Sequence, residues 1–189
     1  VNRRSRIYTV CALSFVLNLV ILLVFFGHTV PRAYAGTGFA FDAPRERLVA
    51  PEFRLPDLKG TVIKLENYQG EVVLLHFWAT FCTPCLEELP ALESLWRRYR
   101  ERGLVILGIA ADRGSADPVR KFARAAGVTF PVLLDPEGVV RNHYEVVGLP
   151  MSYLIGRDGR FSGRILGNRD WQDPLAFDYI ESLLVKRKQ

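Results

Sequence analysis

Phe77-Trp78-Ala79-Thr80-Phe81-Cys82-Thr83-Pro84-Cys85 is the stretch on which the reading of this chain turns. The apolar run Val72-Val73-Leu74-Leu75 before it predicts a buried strand, whereas Leu86, Leu89, Leu92, Leu95, Trp96 and Tyr99 after it recur at helical spacing. The two cysteines therefore sit where a strand ends and a helix begins. There the unpaired N–H groups and the positive end of the helix dipole favour an anion, and the anion on offer is a thiolate. A thiol so placed has its pKa lowered from the free value of about 8.5 and becomes nucleophilic near neutral pH. A second thiol one turn away can resolve a mixed disulfide. The pattern implies dithiol–disulfide exchange.

Outward from this stretch the chain alternates. Residues 61–65 predict a short strand and residues 71–78 the central one. A helix over 82–102 is closed by Gly103 as its C-terminal cap, and residues 104–111 form an apolar strand. Asp117-Pro118 predicts an N-cap followed by a proline at the first helical position, with Val119, Phe122, Ala123 and Ala126 inward and Gly127 as the stop. Residues 129–134 predict another strand. Asp158-Gly159 between 152–155 and 160–166 is a hairpin signature. Asp173-Pro174 opens the last helix, with Leu175, Tyr179, Ile180, Leu183 and Leu184 inward and Lys186-Arg187-Lys188 at its end. No internal repeat is present.

The motif Trp78-Ala79-x-x-Cys82-x-Pro84-Cys85 resembles the active site of the thioredoxin superfamily, and Pro90 falls where thioredoxins kink this helix. Ala50-Pro51-Glu52-Phe53-Arg54-Leu55-Pro56-Asp57, with Gly60 through Gly70, resembles the entry segment of the membrane-anchored TlpA/ResA-type branch. Gly148-Leu149-Pro150 and the strand after it, Ser152-Tyr153-Leu154-Ile155, resemble the cis-proline segment. The likeness covers residues 50–189. It implies an α/β thioredoxin-like fold, a mixed central sheet flanked by helices, with residues 112–134 as the branch's extra helix and strand.

The resemblance also implies roles. Cys82 is the exposed nucleophile and Cys85 the resolving thiol. Pro150 is the cis proline facing the cysteines, and Leu149 pairs by its backbone with an extended substrate. Met151 departs from the threonine often found next. Trp78 and Phe81 are expected to shield the site and form a docking surface, with Thr83, Pro84 and Leu149 completing the substrate contacts. Glu88 matches a carboxylate that reductases of this branch keep near the cysteines, where it raises thiol pKa or relays a proton; Glu87 is the alternative. His76 stands where thioredoxins carry a buried acid. It is a candidate proton acceptor for Cys85, against the plainer reading of a neutral core histidine.

Other chemistries fit less well. A zinc site needs about four ligands, yet no second CxxC exists and His28, His76 and His143 are scattered. Leu86 after the pair excludes a haem-attachment motif. A thiol peroxidase shares the entry segment, but P-x-x-x-T-x-x-C is absent, with Leu75 and Ala79, or Trp78 and Cys82, at the matching positions. A copper-delivery protein would want C-x-x-x-C. No cofactor or metal is implied.

The net charge of +5 belongs to the N-terminus. Arg3, Arg4, Arg6 and Arg32 precede the first acid, and from Gly36 onward 21 Lys/Arg meet 20 Asp/Glu, which argues against a nucleic-acid footprint. Residues 7–26 carry no charge and are long enough to span a bilayer, after an arginine-rich segment 1–6. The expectation is a single anchor with the N-terminus inside, a linker over 27–49, and a domain over 50–189 in the periplasm or another extracytoplasmic space. Ala33-Tyr34-Ala35 offers the competing cleavage site of a signal peptide, although the apolar stretch exceeds a usual signal core. Cys11, inside that stretch, reads as a small apolar residue. The resemblance implies protein thiols and disulfides as partners, apocytochromes c among them, and a membrane electron donor that keeps the protein a reductant. A disulfide oxidant or isomerase is the alternative, since direction depends on potential, and a monomer is expected.

Overall fold

Two short strands, β1 (Arg54–Pro56) and β2 (Val62–Lys64), form an antiparallel hairpin ahead of the main sheet in this computed structural model, which describes residues 41–42 and 48–185. The hairpin turn is built by Asp57, whose carboxylate accepts the Lys59 and Thr61 N–H groups at 2.8 Å each. Thr61 is thereby held in the turn, and β2 is shorter than the 61–65 segment read from sequence. Leu65–Tyr68 is instead a 3-10 turn.

β3 (Val72–Trp78) is buried along its whole length. It leads into α1 (Thr83–Tyr99), a 3-10 turn at Arg100–Arg102, and Gly103 in the left-handed conformation at φ 95°. β4 (Leu104–Ala110), α2 (Asp117–Ala125) and β5 (Val132–Leu134) follow. After α3 (Val139–His143) come β6 (Met151–Ile155), β7 (Phe161–Leu166) and α4 (Pro174–Leu184). The five-stranded sheet runs β5-β4-β3-β6-β7. β3, β4 and β5 are parallel, and β6 and β7 are antiparallel to their neighbours. This is the mixed sheet expected of a thioredoxin-like fold, with α2 and β5 as the added helix and strand.

Strand alternation divides the core in two. Val72, Leu74 and Trp78 of β3 face the layer of α1 and α4, together with Cys85, Leu89, Leu92, Ile180 and Leu184. Val73, Leu75 and Phe77 face the other side, packed on Phe53, Tyr144, Tyr153 and Ile155. His76 shares the parity of Leu74 and Trp78, so the sheet turns it toward α1.

Several expectations are corrected. β5 begins at Val132 because Pro131 has no N–H, and the Thr129 N–H is bonded to the Glu93 carboxylate at 2.7 Å instead of to a strand. The N-cap of α2 is Ala116, with Asp117 in the first turn. Phe122 and Leu175 are exposed rather than inward. α3 has no counterpart in the sequence reading. Phe41 stacks on Tyr179 at a centroid distance of 4.1 Å, and the backbone of Asp42 pairs with Arg164. Ordered packing thus begins upstream of Ala50, within the segment read as a linker. Among the described residues no helix is long and apolar enough to cross a membrane. Residues 1–40, with the apolar run 7–26, lie outside them, as do Lys186, Arg187 and Lys188.

Candidate active site

Parallel strands β3 and β4 end at one edge of the sheet, and antiparallel β6 begins there, with Phe77 opposite Met151. The chain segments following β3 and preceding β6 are therefore neighbours by topology. The first carries Cys82 and Cys85; the second carries Leu149 and Pro150.

Cys82 is the N-cap of α1. Its Sγ accepts the Cys85 N–H at 3.3 Å, so an otherwise unpaired helix donor points at the sulfur. Pro84 lies in the first turn, where a missing N–H costs nothing. Cys82 and Cys85 are joined in a disulfide with an S–S distance of 2.05 Å. Cys82 is partly exposed and Cys85 is sealed. An incoming disulfide can therefore reach the Cys82 sulfur, whereas the Cys85 sulfur is closed off from solvent.

The loop into α1 is clamped from β4. The Asp112 carboxylate accepts the Thr80 N–H at 3.2 and 3.1 Å and also the Thr80 hydroxyl. The Ala111 N–H bonds to the Trp78 carbonyl at 2.8 Å. Asp112 did not emerge from the sequence. The signal was an acid at the end of an apolar strand whose parallel neighbour leads into the cysteines.

Phe81 is 74% exposed, and Thr83 and Pro84 are exposed beside it. Trp78 is different. It is fully buried, and its indole lies over Gly108, where an added Cβ would stand 3.3 Å from Nε1. It supports the site from the core and offers no docking surface, which corrects the expectation. The Leu149–Pro150 bond is cis. Leu149 is half-buried, and the Pro150 carbonyl accepts the Gly167 N–H at 2.9 Å, tying the segment to the end of β7. α3 holds the approach to it: the Asp135 carboxylate accepts the Val140 and Arg141 N–H groups at 3.3 and 2.9 Å.

Glu88 lies one turn beyond Cys85 on α1 and is buried, while Glu87 is exposed. Its carboxylate accepts the Arg169 N–H. Burial pushes its pKa up to about 7, against the opposing effects of the Arg169 N–H, the Trp171 indole and the Arg169 charge. His76 is fully buried, with Nδ1 2.9 Å from Ser152 Oγ. Burial pulls it down to about 3, so the ring is neutral at neutral pH. Among the described residues no cluster of His, Cys, Asp and Glu is arranged to hold a metal ion.

The profile of the AhpC/TSA family matches residues 48–162. Thiol-disulfide oxidoreductase ResA of Bacillus cereus is 34% identical over 154 residues, covering 82% of this chain and 87% of that protein. The chain belongs to this family. ResA of Geobacillus kaustophilus is 35% identical over 155 residues, again covering 82% of this chain and 87% of the relative. Among solved structures, a thiol:disulfide interchange protein DsbE from Chlorobium tepidum superposes with a TM-score of 0.69 at 31% identity, covering 77% of this chain and 99% of its own. The ResA-like family and the geometry agree: this is a thiol-disulfide oxidoreductase of thioredoxin-like fold whose redox couple is Cys82–Cys85.

Proposed function

We propose that the protein acts outside the cytoplasmic membrane as a reductant of protein disulfides, including those of apocytochrome c. The observation that carries the exchange chemistry is Cys82 Sγ at the N-cap of α1, partly exposed, with the buried Cys85 behind it. The extracytoplasmic placement is supported by the uncharged run 7–26 after Arg3, Arg4 and Arg6.

In the reduced protein, the Cys82 thiolate attacks one sulfur of a substrate disulfide. The substrate S–S bond breaks, a mixed disulfide forms, and the departing substrate sulfur takes a proton. Cys85 then gives its proton to the Glu88 carboxylate and attacks Cys82 Sγ. The second substrate thiolate leaves and is protonated from solvent, and the Cys82–Cys85 disulfide remains. A membrane-bound dithiol donor restores it with two electrons and two protons. Phe81, Thr83, Pro84 and Leu149 meet the substrate, with Pro150 setting the Leu149 backbone alongside it. The active unit is a monomer.

Equilibrating the full chain in detergent with dithiol buffers and counting free thiols tests the direction. A potential at or below about −270 mV is the result expected of a dedicated reductant. A value near about −120 mV would reverse the direction. Turnover of peroxide in place of protein disulfides would favour a thiol peroxidase.

A further inference from the structure

Two ionisable side chains from different elements face each other inside the core, one of them a turn beyond Cys85 on α1. His76 Nε2 of β3 and Glu88 Oε2 of α1 are 3.7 Å apart, with side chains 0% and 2% exposed. Neither atom has a hydrogen-bond partner among the described residues. A buried polar atom left so costs about 1–3 kcal/mol, and two of them pointed at one another call for an account. The separation exceeds a hydrogen bond but needs only a small movement to become one.

The far side of the imidazole is anchored. His76 and Ser152 are register partners across β3 and β6, and Nδ1 lies 2.9 Å from the Ser152 hydroxyl. When that hydroxyl donates to Nδ1, the ring proton is on Nε2, aimed at Glu88. The other groups acting on the carboxylate are the Arg169 N–H and guanidinium and the Trp171 indole, from the segment after β7, and Cys85 stands one turn earlier on the same helix.

We propose that His76 is a positioning residue for the proton carried by Glu88: Ser152 holds the ring as its Nε2–H tautomer, and that N–H closes on Glu88 Oε2 whenever the carboxyl is ionised. This rests on the reading of Glu88 as proton carrier for Cys85. Before Cys85 attacks the mixed disulfide, Glu88 is a carboxylate and accepts from Nε2–H. As the Cys85 thiol proton passes to Glu88, that hydrogen bond is released; it re-forms when the proton returns to Cys85 Sγ on recharging. His76 stays neutral throughout, so the step moves one proton between two named atoms. The cost of a carboxylate in the core is thus met by a fixed neutral donor at the stage where the carboxylate is needed.

The test is an NMR titration of the Glu88 side-chain carboxyl in full-length protein, alongside the pH profile of the resolving step. His76→Leu, which removes the donor, is expected to raise the Glu88 midpoint by about one pH unit, a tenfold change in acidity. The pH profile should move with it. His76→Asn retains an N–H donor and should shift both less. Should His76→Leu fail to fold, Ser152→Ala serves instead, since it leaves the ring but releases its tautomer, and an upward shift is again expected. An unchanged midpoint in a folded variant would overturn the proposal, and so would a lowered one, the mark of a ring that accepts from the acid. If Glu88→Gln leaves the pH profile untouched while His76→Leu still moves the Glu88 midpoint, the carrier role falls and the contact between the two residues stands.

Discussion

Cys82 and Cys85 differ in environment although they share a disulfide: one caps a helix near the surface, and the other is closed off in the core. Glu88 and His76 differ in a second sense. The folded Glu88 titrates above its ordinary value of 4.5, at about 7, so the folded chain holds the extra proton between those limits. Its contribution to stability therefore falls as pH rises through that window. The folded His76 titrates below its ordinary 6.5, at about 3, so the unfolded chain binds the extra proton there, and stability rises with pH across that range. Where the windows overlap the two trends oppose. Glu88→Gln is expected to match the parent below pH 4.5 and to exceed its stability above pH 7, checked by thermal unfolding across pH. Equal curves at all pH values would contradict the buried, proton-holding carboxyl.

At the scale of elements, the site exists because β3, β4 and β6 place their ends at one sheet edge. Asp112→Ala removes the acceptor of the Thr80 N–H and hydroxyl and unclamps the loop into α1. A stability loss of about 1–3 kcal/mol is expected, with kcat/KM falling by up to about 100-fold as Cys82 loses its alignment. Unaltered turnover would show that the loop holds itself. The order of elements around the cysteines was legible because β3 and α1 carry long, unmixed hydrophobic patterns. α3 was not, since five residues are too few to show a period and its fixing contacts come from Asp135 outside it. Trp78 was misplaced because a motif gives sequence position but not facing; the parity of β3 directs it into the core over Gly108. Cys82 and Cys85 were visible from their spacing at a strand-to-helix junction and Glu88 through the family resemblance, whereas the meeting of His76, Ser152 and Glu88 depends on strand register that no local pattern encodes.

For the whole molecule, the working edge has an opposite end held by one side chain. Arg157, in the hairpin between β6 and β7, donates to the carbonyls of Gly70 at 2.5 Å, Arg102 at 3.3 Å and Leu184 at 3.2 Å. It joins the entry to β3, the end of the 3-10 turn after α1 and the end of α4. Arg157→Ala is expected to lower the unfolding temperature while leaving turnover per folded molecule unchanged, since nothing it touches lies at the cysteine edge. A matching loss of turnover would show that the two ends are coupled. The proposed anchor is testable at the same scale. The chain should stay in the membrane fraction after alkaline extraction; release as a soluble form beginning at Gly36 would favour cleavage at Ala33-Tyr34-Ala35.

The central claim, that Cys82 attacks and Cys85 resolves, is tested most directly by mass analysis of the mixed disulfide formed with a peptide bearing an oxidised C-x-x-C-H haem-attachment sequence. The reduced Cys85→Ser variant should accumulate a covalent adduct through Cys82, and the reduced Cys82→Ser variant should form none. An adduct formed equally by both variants, or only through Cys85, would contradict the account.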